Sequence, residues 1–185
     1  MDAYDLAMPR LLPWSPAATA ADWDALYAEQ LPRVYNFFRY RVGAGPEAED
    51  LTAITFEKAW RARQRYRREL GAFSTWLFTI ARHVAVDHRR RTREQVPLER
   101  AADLASGDAA DATAEHRSDV ARLGALLRAL PEREREILAL KYGAGLTNRA
   151  IARLTGLGES NVGTLLHRTV QRLRAEWPEA SDGRS

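Results

Sequence analysis

Residues 160–174 have the side-chain types and spacing expected of a helix that contacts DNA. On a helical wheel at 3.6 residues per turn, Leu165, Leu166, Thr169 and Leu173 lie within about 60° of Val162. The opposite side carries polar residues and ends in arginines. Short polar side chains can reach base edges, and guanidinium groups can contact phosphates. The members of this polar side are Ser160, Thr164, His167, Gln171, Arg168, Arg172 and Arg174.

The segment 148–173 has the pattern of a helix-turn-helix. Taking Asn148 as its first position, Ala152 is the fifth and Gly156 the ninth. A small residue is needed where two helices cross closely, and glycine suits a turn with a left-handed backbone. The pattern therefore predicts DNA binding, and the alternative is an ordinary solvated face of a helical bundle.

A second candidate nucleic-acid surface combines aromatic and basic residues between 73 and 91. Unstacked bases can lie on aromatic rings while cations hold the backbone of a single strand. Aromatic residues at helical spacing also form cores, and we predict that Phe78 is a core residue. The basic run RHVAVDHRRR could instead be a solvated helix end, stabilised by the helix dipole.

A metal site is the weaker interpretation of His83, Asp87 and His88. Residues four apart share a helix face, but no third strong ligand lies nearby in the sequence. No glycine-rich phosphate loop, serine nucleophile motif or pair of catalytic carboxylates is present. We therefore predict no metal, no cofactor and no enzymatic activity.

The elements that position these residues are predicted to be helices throughout. Helices are expected from Asp22 as N-cap to residue 42, with a bend or break at Pro32, from Pro46 to about residue 63, and from about Ser74 onwards. Two more are expected at 120–130 and 132–142, before the helix-turn-helix. No segment alternates polar and apolar residues between hairpin turns, so the predicted fold class is all-α.

Charge and composition divide the chain into two helical domains. Its 185 residues have a net charge of +3, yet residues 61–93 carry 10 basic and 2 acidic side chains, whereas 94–119 carry 2 and 7. This asymmetry favours a polyanion bound at two places. We predict a flexible leader at 1–20, a helical domain at 21–93, a flexible acidic linker at 94–118, a helix-turn-helix domain at 119–177 and a tail at 178–185.

Composition also excludes several classes of protein. With 45 % hydrophobic and 29 % charged residues the chain can bury a core, and with no cysteine it has neither disulfides nor thiolate zinc sites. No run approaches the roughly 18 apolar residues of a membrane helix, and the N-terminus lacks a signal-peptide pattern. We expect a cytoplasmic protein without membrane insertion.

Four ordered blocks resemble the extracytoplasmic-function (ECF, group 4) sigma factors of the sigma-70 family, which give RNA polymerase its promoter specificity. The first three, which resemble region 2, are LYAEQLPRVYNFFRYRVG, AEDLTAITFEKAW and FSTWLFTIARHVAVDHRRR. The fourth, LPEREREILALKYGAGLTNRAIARLTGLGESNVGTLLHRTVQRLR, resembles region 4. The blocks cover roughly 23–93 and 120–177. This resemblance implies a non-enzymatic factor that binds core polymerase, recognises two promoter elements and assists strand opening.

The resemblance also implies roles for individual residues. The second block would dock on the clamp helices of the polymerase largest subunit, through Asp50, Leu51, Thr52, Phe56 and Lys58, of which Leu51 and Phe56 could instead be core. The third would recognise and open the minus-ten element, through Arg67, Phe73, Ser74, Trp76, Arg82, His83, Asp87 and Arg90. The helix-turn-helix would read the minus-thirty-five element through Arg149, Ser160, Asn161, Thr164, His167 and Arg168.

Further partners are implied for the rest of the chain. The C-terminal domain would contact the beta-subunit flap, and the acidic linker would run through the polymerase toward the RNA exit path, although its charge could equally serve solubility. Anti-sigma factors are common partners in this family, and no residue here identifies one. The usual basic residue of the family's recognition helix is missing from 159–166, so base preferences do not carry over.

Two other functions are compatible with the residues alone. One is a helix-turn-helix regulator that binds duplex DNA without polymerase, with residues 22–93 as a sensing or dimerisation module. The other is a metal-dependent nuclease that uses His83, Asp87 and His88.

Overall fold

The computed structural model describes residues 20–95 and 114–177, and within these ranges the regular structure is entirely helical. The N-terminal half contains α1 (Ala20–Val42), α2 (Pro46–Ala62) and α3 (Phe73–Gln95). The C-terminal half contains α4 (Ala114–Ala129), α5 (Glu132–Leu138), a π turn (Ala139–Gly143), α6 (Asn148–Thr155) and α7 (Glu159–Glu176). The predicted all-α class is therefore confirmed.

One prediction about the first helix is wrong, and one of the two alternatives predicted at Pro32, a break, does not occur. Helix α1 begins at Ala20, so Asp22 lies inside it rather than at its N-cap. The helix also continues through Pro32 without a break. Packing on both sides of the proline explains this, because Gln30 and Val34 are buried while Pro32 itself is exposed. Tertiary contacts can offset the hydrogen bond that a proline removes from a helix.

The start of α2 follows its sequence signals. Gly45 precedes the helix with a φ of 124°, a conformation that favours glycine, and Pro46 is its first residue. Acidic residues occupy the first turn, as the sequence predicts, where the helix dipole favours negative charge. A short contact from Glu47 Oε1 to His88 Nε2, at 2.5 Å, then ties α2 to α3.

The helix-turn-helix has the predicted geometry. Gly156 follows α6 with a φ of 73°, in the left-handed region, and Ile151 and Val162 fill the core between α6 and α7. The hydroxyl of Thr147 accepts a hydrogen bond from the backbone N–H of Ala150 at 3.2 Å, which caps α6.

Both halves share one hydrophobic core. Side chains of α1, including Val34, Phe37 and Phe38, belong to the same buried cluster as Ile137 and Leu140 from the other half. Phe78 is fully buried in it, as predicted. The sequence predicts two helical domains, and the structure adds that these domains pack directly against each other.

The structure describes only the two ends of the segment 94–118, which the sequence predicts to be a flexible linker. Helix α3 extends to Gln95, and α4 begins at Ala114, inside the segment 94–118. Residues 96–113 lie outside the described residues, as do the leader up to residue 19 and the tail 178–185.

Candidate nucleic-acid interface

Helix α7 presents a polar face opposite a buried one. Val162 is fully buried, and Leu166 and Thr169 are also buried. Five of the six residues predicted to read the upstream element are exposed and lie on the other side of α7: Ser160, Asn161, Thr164, His167 and Arg168. The helix therefore offers short polar groups near its N-terminal end and a cation one turn later, which is the arrangement that a major groove accepts.

Contacts with α5 hold this face in place. The hydroxyl of Thr169 donates to the carbonyl of Leu165 at 2.8 Å and to Glu134 Oε2 at 3.2 Å. The same carboxylate accepts a hydrogen bond from Arg172. Arg172 is thereby paired within the protein, whereas Arg168 and Arg174 remain exposed.

Arg149 lies at the start of α6, beside the N-terminal end of α7. Its Nε is 3.8 Å from Glu159 Oε2, and both side chains are mostly exposed. An exposed pair of this kind contributes little to stability and is readily exchanged for a stronger partner. Arg149 can therefore reach a phosphate next to a duplex bound by α7.

The N-terminal half carries a cluster of five aromatic rings, which we call the aromatic cluster. Trp23 packs edge-on against Trp60 at 5.2 Å and against Phe73 at 5.9 Å between centroids. Tyr66 lies 5.3 Å from Phe73 and 5.4 Å from Trp76. Phe73 is the buried centre, while Trp60 is 41 % exposed. The cluster therefore holds partly exposed aromatic rings near the start of α3.

The tyrosine of this cluster is partly buried. Burial raises the pKa of Tyr66, although the nearby Arg68 opposes this effect. The hydroxyl donates to the carbonyl of Gly71 at 3.2 Å, which fastens the segment before α3.

The other residues predicted for the downstream element fall into two groups. His83 and Arg90 are exposed on α3, and Arg67, Ser74 and Trp76 are partly buried. Asp87 and Arg82 are engaged by other parts of the protein: Asp87 Oδ2 lies 3.6 Å from Lys58 Nζ, and Arg82 contacts the C-terminal half.

Arg82 is the clearest case of a candidate DNA contact that already has protein partners. Its Nε donates to Glu136 Oε1 at 2.9 Å, and its Nη1 donates to the carbonyl of Leu154 at the end of α6. Both partners belong to the C-terminal half, so the packing of the two halves occupies this guanidinium.

Helix α2 carries the residues predicted to dock on the polymerase, but three of them face the core. Leu51, Thr52 and Phe56 are each at most 5 % exposed, and the Thr52 hydroxyl donates to the carbonyl of Ala48 at 2.7 Å. Asp50 is exposed, and Lys58 is partly exposed. The alternative that Leu51 and Phe56 are core residues agrees with this burial.

The structure gives no support to a metal centre. Among residues 20–95 and 114–177, no three histidine, aspartate or glutamate side chains come close enough to hold a metal ion. His83 is exposed, and His88 contacts Glu47. None of the described helices has the length and hydropathy needed to cross a membrane.

Sequence reasoning missed two sets of contacts, one local and one between residues far apart in the sequence. The guanidinium of Arg63 lies 3.8 Å above the ring of Trp60, and this pair was visible in the sequence as a three-residue spacing at a helix end. The pairing of Arg41 with Glu132 and Glu136 had no such signal, because about 90 residues separate the partners.

Comparisons with known proteins identify both halves. Residues 26–95 match the family model "Sigma-70 region 2", and residues 121–173 match "Sigma-70, region 4". The chain is 30 % identical over 182 residues to the ECF RNA polymerase sigma factor BldN of Streptomyces coelicolor, covering 96 % of this chain and 69 % of the relative. It is 33 % identical over 158 residues to the ECF sigma factor SigD of Mycobacterium bovis, covering 82 % and 74 %.

A solved structure has the same fold. The sigma factor RpoE of Bartonella quintana, determined in complex with the anti-sigma factor NepR, superposes with a TM-score of 0.67 and 23 % identity, covering 84 % of this chain and 96 % of that one. Both sigma-70 regions are thus present in order and at the expected positions. The chain belongs to the ECF RNA polymerase sigma factors, the subunits that direct the polymerase to promoters.

Proposed function

We propose that this chain binds core RNA polymerase through α2, reads an upstream promoter element with α7 and opens a downstream element at the aromatic cluster and α3. It does so without catalysing a reaction itself. The observation that carries the proposal is the exposed polar face of α7, which lies opposite a fully buried Val162. The proposal also places the chain in the cytoplasm, because RNA polymerase works there.

Reading of the upstream element is assigned to six exposed residues. Thr164, His167 and Arg168 can contact base edges, because they lie along one side of a helix whose other side is anchored. Arg149 and the N-terminal residues of α7 hold the phosphates that flank them. The last two members of this set are Ser160 and Asn161.

Opening of the downstream element is assigned to the aromatic cluster and the basic residues of α3. Extracting a base from a duplex costs a few kcal/mol, which stacking on a ring and cationic contacts to the backbone can supply. Trp76 and the exposed Trp60 provide ring surface, and His83 and Arg90 provide polar and cationic groups on the exposed side of α3. Phe73 supports them from the core. The remaining residues assigned to this element are Arg67, Ser74, Arg82 and Asp87.

Docking on the polymerase is assigned to the exposed side of α2. Asp50 and Lys58 provide charges there, about two helical turns apart. The contribution of Leu51, Thr52 and Phe56 is indirect. Their side chains are buried in the N-terminal core and fix the position of the helix. The domain limits that accompany this assignment are 21–93 for docking and opening, 94–118 for the linker and 119–177 for upstream reading.

Run-off transcription with core polymerase and a library of genomic fragments tests the proposal. We expect transcripts with defined starts only when the chain is present, and we expect the active fragments to share two short sequence elements. Failure to stimulate core polymerase, together with tight binding of the chain alone to one duplex, would instead support the stand-alone regulator.

Two variants make this experiment specific. Replacing Asn161 and Thr164 by Ala changes the reading face only, since both side chains are exposed. Replacing Arg128, an exposed residue of α4, by Ala is the matched control. We expect the first variant to lose transcripts from the selected promoters while the control retains them.

A further inference from the structure

Helix α7 begins with a residue that the proposed function does not use. Glu159 is the first residue of the helix, and its side chain is 58 % exposed. In the first two turns, residues 159–166, it is the only residue with a charged side chain. The end of α7 that would enter the groove therefore carries one negative charge and no positive charge.

A carboxylate at this position has a cost on DNA. The N-terminal residues of a helix that enters the major groove lie nearest to the base edges. The flanking phosphates repel a negative group there, and the repulsion is screened less where binding displaces water. Glu159 would therefore weaken binding to every sequence unless another group offsets its charge.

Arg149 on α6 supplies the offsetting charge. Its Nε lies 3.8 Å from Glu159 Oε2, and the Arg149 side chain is 74 % exposed. A guanidinium has five N–H donors, so it can contact a phosphate with one edge and stay close to the carboxylate with another. An exposed ion pair contributes little to folding, so the stability of the fold does not account for this pair.

The base edges determine which base a carboxylate can recognise in the major groove. An ionised carboxylate only accepts hydrogen bonds. Guanine presents the acceptors N7 and O6, thymine presents the acceptor O4, and adenine places the acceptor N7 beside its N6 amino group. Cytosine presents the N4 amino group as a donor. A carboxylate therefore fits cytosine and is repelled by the acceptor atoms of the other bases.

We propose that Glu159 is a specificity-determining residue, whose carboxylate accepts a hydrogen bond from the N4 amino group of a cytosine in the upstream element. Arg149 offsets the charge of this carboxylate against the DNA backbone. The inference rests on the proposed function, since it adds a further residue to the reading of that element. Glu159 acts in two ways, because it binds cytosine and rejects guanine and thymine.

A purely structural role for Glu159 has a different consequence. The helix dipole favours an acidic residue in the first turn of any helix. A residue with that role alone would affect the stability of α7 and would leave the preference among bases unchanged. Base preference is therefore the measurement that separates the two roles.

Selection from a promoter library with a randomised upstream element, bound by the complex of the chain with core polymerase, tests the inference. We expect the wild-type complex to enrich cytosine at one position. Glu159→Ala should lower that preference by about tenfold, a change typical of one lost base contact. Glu159→Gln should enrich adenine at the same position, because an amide can both donate to N7 and accept from N6.

Glu176→Gln is the matched control, since it removes the same charge from an exposed position at the other end of α7. We expect it to keep the wild-type preference at every position, and circular dichroism checks that all variants retain their helices. If both Glu159 variants also keep that preference, or change the affinity for all sequences by the same factor, Glu159 does not read a base and the inference is overturned.

Arg149→Ala separates the two members of the pair. It should weaken binding to every sequence and lower the slope of log affinity against log salt concentration by about one, because one phosphate contact is lost. The preference for cytosine should remain, since Glu159 is still present. A preference that disappears in Arg149→Ala and persists in Glu159→Ala would assign the recognition to Arg149 and overturn the inference.

The two proposals fail in different ways. If the wild-type complex enriches no upstream element, the proposed function and the role of Glu159 are both contradicted. If it enriches a shared element and the Glu159→Gln complex enriches the same one, only the role of Glu159 is contradicted.

Discussion

Arg41 on α1 and Glu132 on α5 form an ion pair between the two halves, although 91 positions separate them in the sequence. The arginine side chain is 5 % exposed and the glutamate side chain is 30 % exposed. Since the two residues come from different sigma-70 regions, the pair couples the stability of one region to the position of the other.

The stability of the chain should fall in acid because of Glu132. Burial alone would raise the pKa of Glu132, but Arg41, Arg135 and Arg89 outweigh it, so the pKa lies below its usual value of 4.5. The contribution of the carboxylate is therefore complete above pH 4.5 and is lost as the pH falls below that value through the pKa of the folded state. Urea unfolding at a series of pH values measures this, and a Glu132→Gln variant with the same acid dependence as the wild type would contradict it.

Arg41→Ala should destabilise the chain by about 3 kcal/mol, the lower end of the range for a broken buried pair, since Glu132 keeps some exposure. Arg39→Ala is the matched control, because Arg39 lies on the same helix and is exposed. Its free energy of unfolding should change by less than about 0.5 kcal/mol. Equal urea midpoints for the two variants would show that the buried pair does not stabilise the fold.

Thr147→Ala should remove the N-cap of α6 and lower the free energy of unfolding by about 1 kcal/mol. Thr155→Ala serves as the comparison, because the Thr155 hydroxyl donates only to the carbonyl of Ile151 within the helix, at 2.7 Å. Such a bond contributes little to helix stability. Thermal unfolding that ranks Thr155→Ala as the more damaging change would be inconsistent with the capping role.

Arg168→Ala should weaken binding of the polymerase complex to the upstream element by about 1–3 kcal/mol, if the guanidinium makes a two-bond contact with a base. Fluorescence anisotropy of a labelled promoter fragment measures this change, with Arg128→Ala as the control that should bind like the wild type. If Arg168→Ala weakens binding to unrelated DNA by the same factor, Arg168 contacts a phosphate and does not recognise a base.

Trp76→Ala should impair strand opening more than initial docking, because it removes ring surface from the aromatic cluster. Permanganate reactivity of thymines in the promoter reports opening, and gel mobility of the complex reports docking. Arg61→Ala, at an exposed position of α2 outside the cluster, is the control. Thymines that react equally in Trp76→Ala and wild-type complexes would rule out this role for Trp76.

Local patterns were enough to predict most helices and the polar face of α7. Pro46, Gly156 and the alternation of buried and exposed residues on α7 are signals read over a few residues, and the structure confirms each of them. The wrong N-cap at Asp22 also comes from a local signal, because α1 begins two residues earlier. At Pro32 a bend or a break was predicted, and the helix continues without a break because buried residues on both sides hold it in place.

The contact between the halves could not be predicted, because its parts are far apart in the sequence. The sequence shows many arginines and several glutamates, but it does not show that Arg82 meets Glu136. Gly143 is similar. Its place in the sequence suggests only that a helix ends there, whereas in the structure a Cβ at Gly143 would lie 2.8 Å from the carbonyl oxygen of Asn36 on α1. Roles of single residues at the candidate interface likewise depend on this packing, and they stay predictions.

The aromatic cluster also gives the chain an optical property. Of the five tryptophans of the chain, three belong to this cluster, namely Trp23, Trp60 and Trp76. Part of the ultraviolet emission from the unlabelled protein therefore arises beside the surface assigned to strand opening. A nucleobase stacked there would quench that emission, so the wild-type sequence carries its own reporter of the melted strand.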